Sequence, residues 1–186
     1  MAEIMSSDGA VIAYERIGTG PLLLLVASMP PEVTGALVRS LLGRYSVLIY
    51  APGGRDDAGI VADLLALIAA EGGAFVFAAG AAAVPALEAA AAMPRKIQAL
   101  ALYQPGGAAL LPAAAPPLHW QNAIMPVLVI DGDEAPEGGA AQADRMAAGL
   151  HNAERITLAG QGADFDPSIM APLLSVFFDM GSVQIH

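Results

Sequence analysis

Two short runs, Leu22–Val26 and Val47–Tyr50, are apolar without interruption, and nothing else in the chain narrows its fold so far. A strand that meets water on one face alternates polar and apolar side chains. A run without alternation is buried on both faces, the condition of a parallel strand covered by helices above and below. The segment between the two runs, Glu32 to Arg44, carries Val33, Leu37, Leu41 and Leu42 at helical spacing, which makes the three a βαβ unit. The alternation continues. Ile60–Ala70 reads as helix, Ala74–Phe77 as strand, Ala81–Met93 as helix and Ile97–Leu102 as strand. Beyond a loop rich in Gly, Ala and Pro at Gly106–Pro117, Pro126–Ile130 reads as strand, Ala141–Leu150 as helix, Arg155–Leu158 as strand and Ser168–Asp179 as a closing helix. Ahead of all these, Asp8-Gly9 and Val11–Glu15, followed by Gly18-Thr19-Gly20-Pro21, read as a hairpin. The expected architecture is α/β: a doubly wound, mostly parallel sheet with helices on both faces, built by residues 1–186 as one domain.

Composition agrees with that burial and removes several function classes. Of 186 residues, 56% are hydrophobic and 14% charged, and the mean hydropathy is +0.58, which speaks against a disordered chain. Much of the apolar excess is alanine, which adds little area per residue and suits thin, closely packed helices. A net charge of −10 with no run of Lys or Arg opposes binding to nucleic acid or to anionic lipid. Without cysteine, disulfides, thiolate metal sites and a Cys nucleophile are excluded. Ala74 to Met93 imitates a membrane span, yet Gly80 and Pro85 interrupt it and Glu88 charges it, so no membrane association is expected. The opening Met1–Asp8 lacks the basic end and apolar core of a signal peptide, and the expected location is cytoplasmic.

The order of segments, with several short motifs, resembles the α/β-hydrolase superfamily from about Ser7 to Asp179. The opening hairpin is similar; Leu25-Val26-Ala27-Ser28-Met29-Pro30 stands where the family carries its His-Gly-x-Pro oxyanion loop, with Ala27-Ser28 replacing His-Gly. Arg44-Tyr45-Ser46-Val47 through Ala51-Pro52-Gly53-Gly54-Arg55 resembles the strand and turn written Tyr-x-Val-x-x-Pro-Asp-x-Arg-Gly. Pro94-Arg95-Lys96-Ile97-Gln98-Ala99-Leu100 resembles the exit from the elbow helix, and Met125–Ile130 the strand before the catalytic acid.

That resemblance implies a triad, and this sequence replaces it. The Gly-x-Ser-x-Gly elbow falls on Ala78-Ala79-Gly80-Ala81-Ala82, so Gly80 stands at the serine position. The acid falls on Ala135, three residues after Gly132, with Asp133 and Glu134 leaving the register open, and the histidine falls on Ala163, after Gly160-Gln161-Gly162. Without nucleophile or base, acyl transfer loses the agents of its covalent and proton-transfer steps. Main-chain donors do not depend on side-chain identity, so the N–H groups of Met29 and Ala81 could still form an oxyanion hole and bind a carbonyl or carboxylate. Tyr103 to Met125 is too short for a cap domain, so the site is expected to be open and shallow.

Other candidates are weaker. Ser28 could replace the nucleophile and Asp164 the base, if burial raised its proton affinity. His119, His151 and His186 show no metal-ligand spacing, and only His119, beside Trp120, is a candidate for the mouth. Asp133, Glu134, Asp164 and Asp166 follow neighbouring strands and could gather round a hard cation, although such loops are usually just solvated, and no metal or other cofactor is expected. Gly18-Thr19-Gly20 precedes a strand instead of following one, and no Gly-Lys-Ser/Thr loop exists, so no phosphate or nucleotide site is indicated. Val176-Phe177-Phe178 reads as core or as a homodimer contact, leaving monomer and homodimer both open. Two functions remain: a hydrolase by resemblance that lacks ordinary esterase activity and either uses other residues or catalyses a non-hydrolytic step with the oxyanion hole, or a non-catalytic binder of a small acyl or carboxylate ligand or of a protein partner.

Overall fold

The computed structural model describes residues 2–26, 29–105 and 116–183. Its strands are β1 (Ala2–Met5), β2 (Val11–Ile17), β3 (Leu22–Val26), β4 (Ser46–Tyr50), β5 (Ala74–Ala79), β6 (Ile97–Tyr103), β7 (Val127–Gly132) and β8 (Ala153–Leu158). They form one sheet in the order β1-β2-β4-β3-β5-β6-β7-β8. The hairpin β1–β2 is antiparallel and β2 joins β4 antiparallel; every pairing from β4 to β8 is parallel. The helices are α1 (Pro31–Leu41), α2 (Asp57–Glu71), α3 (Ala83–Ala92), α4 (Gly139–Ala148) and α5 (Pro167–Val183).

The apolar runs divide residue by residue between two cores, as period-two side chains must. Leu24, Val26, Leu48, Val76, Leu100, Leu102 and Val129 face a cluster that contains Leu64 and Leu67 of α2, Ala86 and Ala90 of α3 and Met146 of α4. Leu23, Leu25, Val47, Phe75, Phe77, Ala101 and Ile130 face a second cluster with Leu37 and Leu41 of α1 and Leu174 and Phe178 of α5. Both faces are therefore covered, as the unbroken runs require. On α3 the buried side is mostly alanine, which lets that helix lie close to the sheet. On the other face, Tyr45, Phe75 and Phe178 make mutual ring contacts, and Phe165 of the last loop sits edge-on to Phe77 and Tyr103. Phe177 and Phe178 are core, whereas Val176 is exposed.

The differences from the sequence reading lie at element ends. Helix α2 starts at Asp57, ahead of Ile60, because the Asp56 carboxylate accepts the Gly59 N–H and caps its first turn. The helix expected from Ala81 begins as a single 3-10 turn, Gly80–Ala82, before α3 proper. Pro85 falls in the first turn of α3, where a missing N–H costs little. No helix among the described residues is long and apolar enough to cross a membrane, and no cap domain interrupts the described part of the β6–β7 connection.

One ion cluster locks the hairpin to the sheet. The buried Asp63 carboxylate of α2 accepts the Tyr50 hydroxyl at 2.6 Å and two Arg55 nitrogens at 2.8 and 3.1 Å, while Arg55 also reaches Asp8 at 2.6 Å. Removing the cation strands a buried charge. Arg55→Met should lower stability by about 3 kcal/mol in urea unfolding, and adding Asp63→Asn should recover more than half of that loss.

Burial, then the Asp179 carboxylate, push the Tyr45 phenol up to about 12 from 10.0. A raised folded-state value stabilises fully below the unfolded value near pH 10 and is lost as pH climbs toward 12. Tyr45→Phe should therefore lower the urea midpoint at pH 7, through the lost bond to Asp179, and flatten its fall across that alkaline window.

Candidate functional site

Because β3 to β8 run parallel, their carboxyl ends share one edge of the sheet, and nearly every position singled out in the sequence lies there. Met29 follows β3, Gly80 follows β5, Ala135 follows β7 and Ala163 follows β8. The chain order reverses across β3, with β4 on one side and β5 on the other, the kind of switch point at which open α/β sheets place their ligands. Ser28 falls outside the described residues, as does His186.

Gly80 is the apex of the elbow. Its φ is +59°, in the left-handed region, and a Cβ added there would meet no atom within 4 Å. The chain then turns directly into the 3-10 turn and α3. A serine would thus find its space open and its backbone strained; glycine adopts the turn without that strain. The N–H groups that open the helix, Ala81's among them, have no partner within the helix. Met29, half-buried, lies between the end of β3 and the start of α1.

The corner expected to hold acid and histidine is closed by backbone. Asp133 N–H donates to the Leu158 carbonyl at 3.1 Å and Glu134 N–H to the Gln161 carbonyl at 3.0 Å. Gly132 packs so closely on Gln161 that a Cβ would overlap its carbonyl oxygen. Ala135 donates its own N–H back to Gly132. From β6, the Tyr103 hydroxyl and the Gln104 carboxamide both donate to the Gly162 carbonyl, at 2.6 and 2.9 Å. Burial, with smaller contributions from Asp164 and Asp131, raises the Tyr103 phenol, keeping it a donor.

The four loop carboxylates do not converge. Asp133 accepts the Gly160 N–H and Asp166 the Ser168 N–H, and among the described residues no group of three or more Asp, Glu or His could hold a metal ion. The Ser168 hydroxyl and then its N–H hold the Asp166 carboxyl below the usual carboxylate range. Asp164 is exposed, so the burial that would make it a base is absent. The buried Asp131 serves the sheet, accepting from Arg155 at 2.7 Å and Thr157 at 2.9 Å. His119 is not at the mouth: it pairs at 2.6 Å with Glu88, which also accepts the Trp120 indole N–H, two turns along α3 from the elbow. His151 is exposed on the turn before β8.

Sequence reasoning passed over Tyr103 and Gln104. The signal was a polar residue between the apolar end of a strand and a proline, Leu102-Tyr103-Gln104-Pro105. Gln104 is the one non-glycine described residue with positive φ, +46°, although a residue before proline ordinarily stays extended.

Three solved structures superpose on this arrangement over nearly the whole chain. An α/β hydrolase from Sphaerobacter thermophilus is 24% identical with a TM-score of 0.76, covering 95% of this chain and 100% of its own. The chain has the α/β-hydrolase fold. Est1E from Butyrivibrio proteoclasticus, with ferulic acid bound, is 12% identical with a TM-score of 0.76, covering 99% and 100%. A mutant meta-cleavage product hydrolase from Pseudomonas fluorescens, complexed with acetates, is 12% identical with a TM-score of 0.74, covering 97% and 98%. No family model and no curated protein matches the sequence.

The two glycines at this edge serve different needs, and thermal unfolding separates them. Gly80→Ser meets only backbone strain, about 1–2 kcal/mol, and should lower Tm by about 3–6 °C. Gly132→Ala, which collides with backbone, should lower it at least twice as far.

Proposed function

We propose that this chain binds a small acyl or carboxylate ligand at the elbow and does not hydrolyse esters through a covalent intermediate. The observation that carries the reading is Gly80: the elbow's left-handed turn and open space are kept while the atom that would attack is missing. Ala135 and Ala163 bring no acid or imidazole to the neighbouring loops. A ligand carbonyl oxygen placed at the elbow would accept from the Ala81 and Met29 N–H groups, aided by the positive end of the helix. Bound there, it meets no nucleophile, so the bond to its leaving group stays intact. Two neighbours of the same fold carry small acids, ferulic acid and acetates, which supports a ligand of that class.

The competing reading is a hydrolase whose machinery has moved to Ser28 and Asp164. Turnover of a short-chain p-nitrophenyl ester panel decides between them. Wild type, Ser28→Ala and Asp164→Asn should all stay at the rate of a protein-free control. Turnover by wild type that either substitution abolishes would overturn the binding reading and locate the relocated groups.

A further inference from the structure

We propose that this chain pairs with a second copy of itself through the open edge of β8 and the neighbouring flank of α5, an interface separate from the elbow. The sheet ends at β8. The Asn152 carbonyl accepts the Val127 N–H at 2.8 Å and the Leu158 carbonyl accepts the Asp133 N–H at 3.1 Å, so the even-numbered residues of β8 turn their main-chain groups toward β7. Ala153, Arg155 and Thr157 alternate with them and turn theirs outward, and among the described residues no main-chain bond reaches those groups. Exposed edges are ordinarily blunted by proline, lysine or a bulge; β8 has none of these.

The flank of α5 beside this edge is apolar. Ile169, Leu173, Val176 and Met180 recur at alternating steps of four and three residues, the spacing of a helix–helix seam. Ile169, Val176 and Met180 are 42%, 59% and 57% exposed. Phe177 and Met180 line one cavity with Asn152 and Glu154, which places this flank against the start of β8. Ile156 and Leu158 are half-buried on the same side of the sheet. A lone copy leaves this apolar surface in water.

Register and charge both fit a second copy. A two-fold axis through Ile156 runs the two β8 strands antiparallel, sets Arg155 against the partner's Thr157 and Thr157 against the partner's Arg155, and lets each pair exchange both N–H···O bonds. Ile156 then meets the partner's Ile156, apolar against apolar. An axis through Arg155 would put two like charges opposite each other, and one through Thr157 would run the pairing past the strand's end at Leu158. The chain carries a net charge of −10, which favours separate copies, but at this face Glu154 offsets Arg155. The single charged residue of α5, Asp179, lies on the other flank, bonded to Arg44 and Tyr45. A basic partner would be drawn to acidic surface and away from this neutral face.

The chain has no cysteine, so one introduced thiol reports the register. Ile156→Cys puts two thiols across the axis at a non-hydrogen-bonded pair, where Cα atoms lie about 4.5 Å apart, within disulfide reach. Glu154→Cys, on the same face, stands opposite the partner's Leu158 and about 13 Å from its own copy. Under mild oxidation of the full chain, Ile156→Cys should link about ten-fold faster than Glu154→Cys or more. In sedimentation equilibrium the wild type should reach twice 18.8 kDa, with a dissociation constant on the order of 10 μM that Val176→Lys raises about ten-fold or more. Met180→Lys gives the same reading should Val176→Lys not fold. A wild type that stays at 18.8 kDa up to about 500 μM, a dimer that the folded lysine variant leaves intact, or equal linking by the two cysteine variants overturns the proposal.

Discussion

Burial of the central strands on both faces is the constraint from which the rest follows. Leu23 and Leu25 need α1 and α5 on one side, Leu24 and Val26 need α2 and α3 on the other, and only right-handed crossovers between parallel strands supply both coverings in a chain of this length. Parallel strands then deliver all their carboxyl ends to one edge. The convergence of Met29, Gly80, Gln104, Ala135 and Ala163 is thus a consequence of how the core is packed and needs no catalytic side chain to maintain it.

That independence shows in how the edge is held. In a working triad, an acid–imidazole hydrogen bond spans the loops after β7 and β8. Here main-chain bonds from Asp133 and Glu134, the close approach of Gly132 to Gln161, and the donors of Tyr103 and Gln104 on Gly162 span them. None of these bonds carries an ionised group into the interior, so the desolvation that a buried acid–histidine pair would impose is avoided. The geometry of this edge is held by neutral, mostly main-chain contacts.

The legible parts of the sequence were those in which one residue type answers one physical need. Unbroken apolar runs located the sheet, helical spacing placed the crossovers, and the glycine at the elbow stood where the left-handed turn is. Less legible were effects that depend on a partner distant in sequence. Nothing local says that β2 pairs with β4 and not with β3, that Asp56 starts α2 three residues early, or that Glu88 draws His119 away from the mouth. Gln104 was missed for the same reason: its left-handed backbone comes from bonds to Ile130 and Gly162, contributed by two other strands and their loops.

Whether an edge of this kind can still do proton chemistry turns on the surroundings of its acids. A general base near neutral pH needs a carboxyl group raised by burial or by a like charge. At this edge the arrangement runs the other way: Asp166 is held low by Ser168, Asp133 is engaged by the Gly160 N–H, and Asp164 stands in water. The deeply buried carboxylate nearby, Asp131, is paired with Arg155 and accepts the Thr157 hydroxyl as part of the sheet. A buried polar group left unmatched at this edge is instead neutral, the Thr34 hydroxyl in the first turn of α1. An edge whose acids are engaged or solvated in this way is poorly suited to taking a proton at neutral pH.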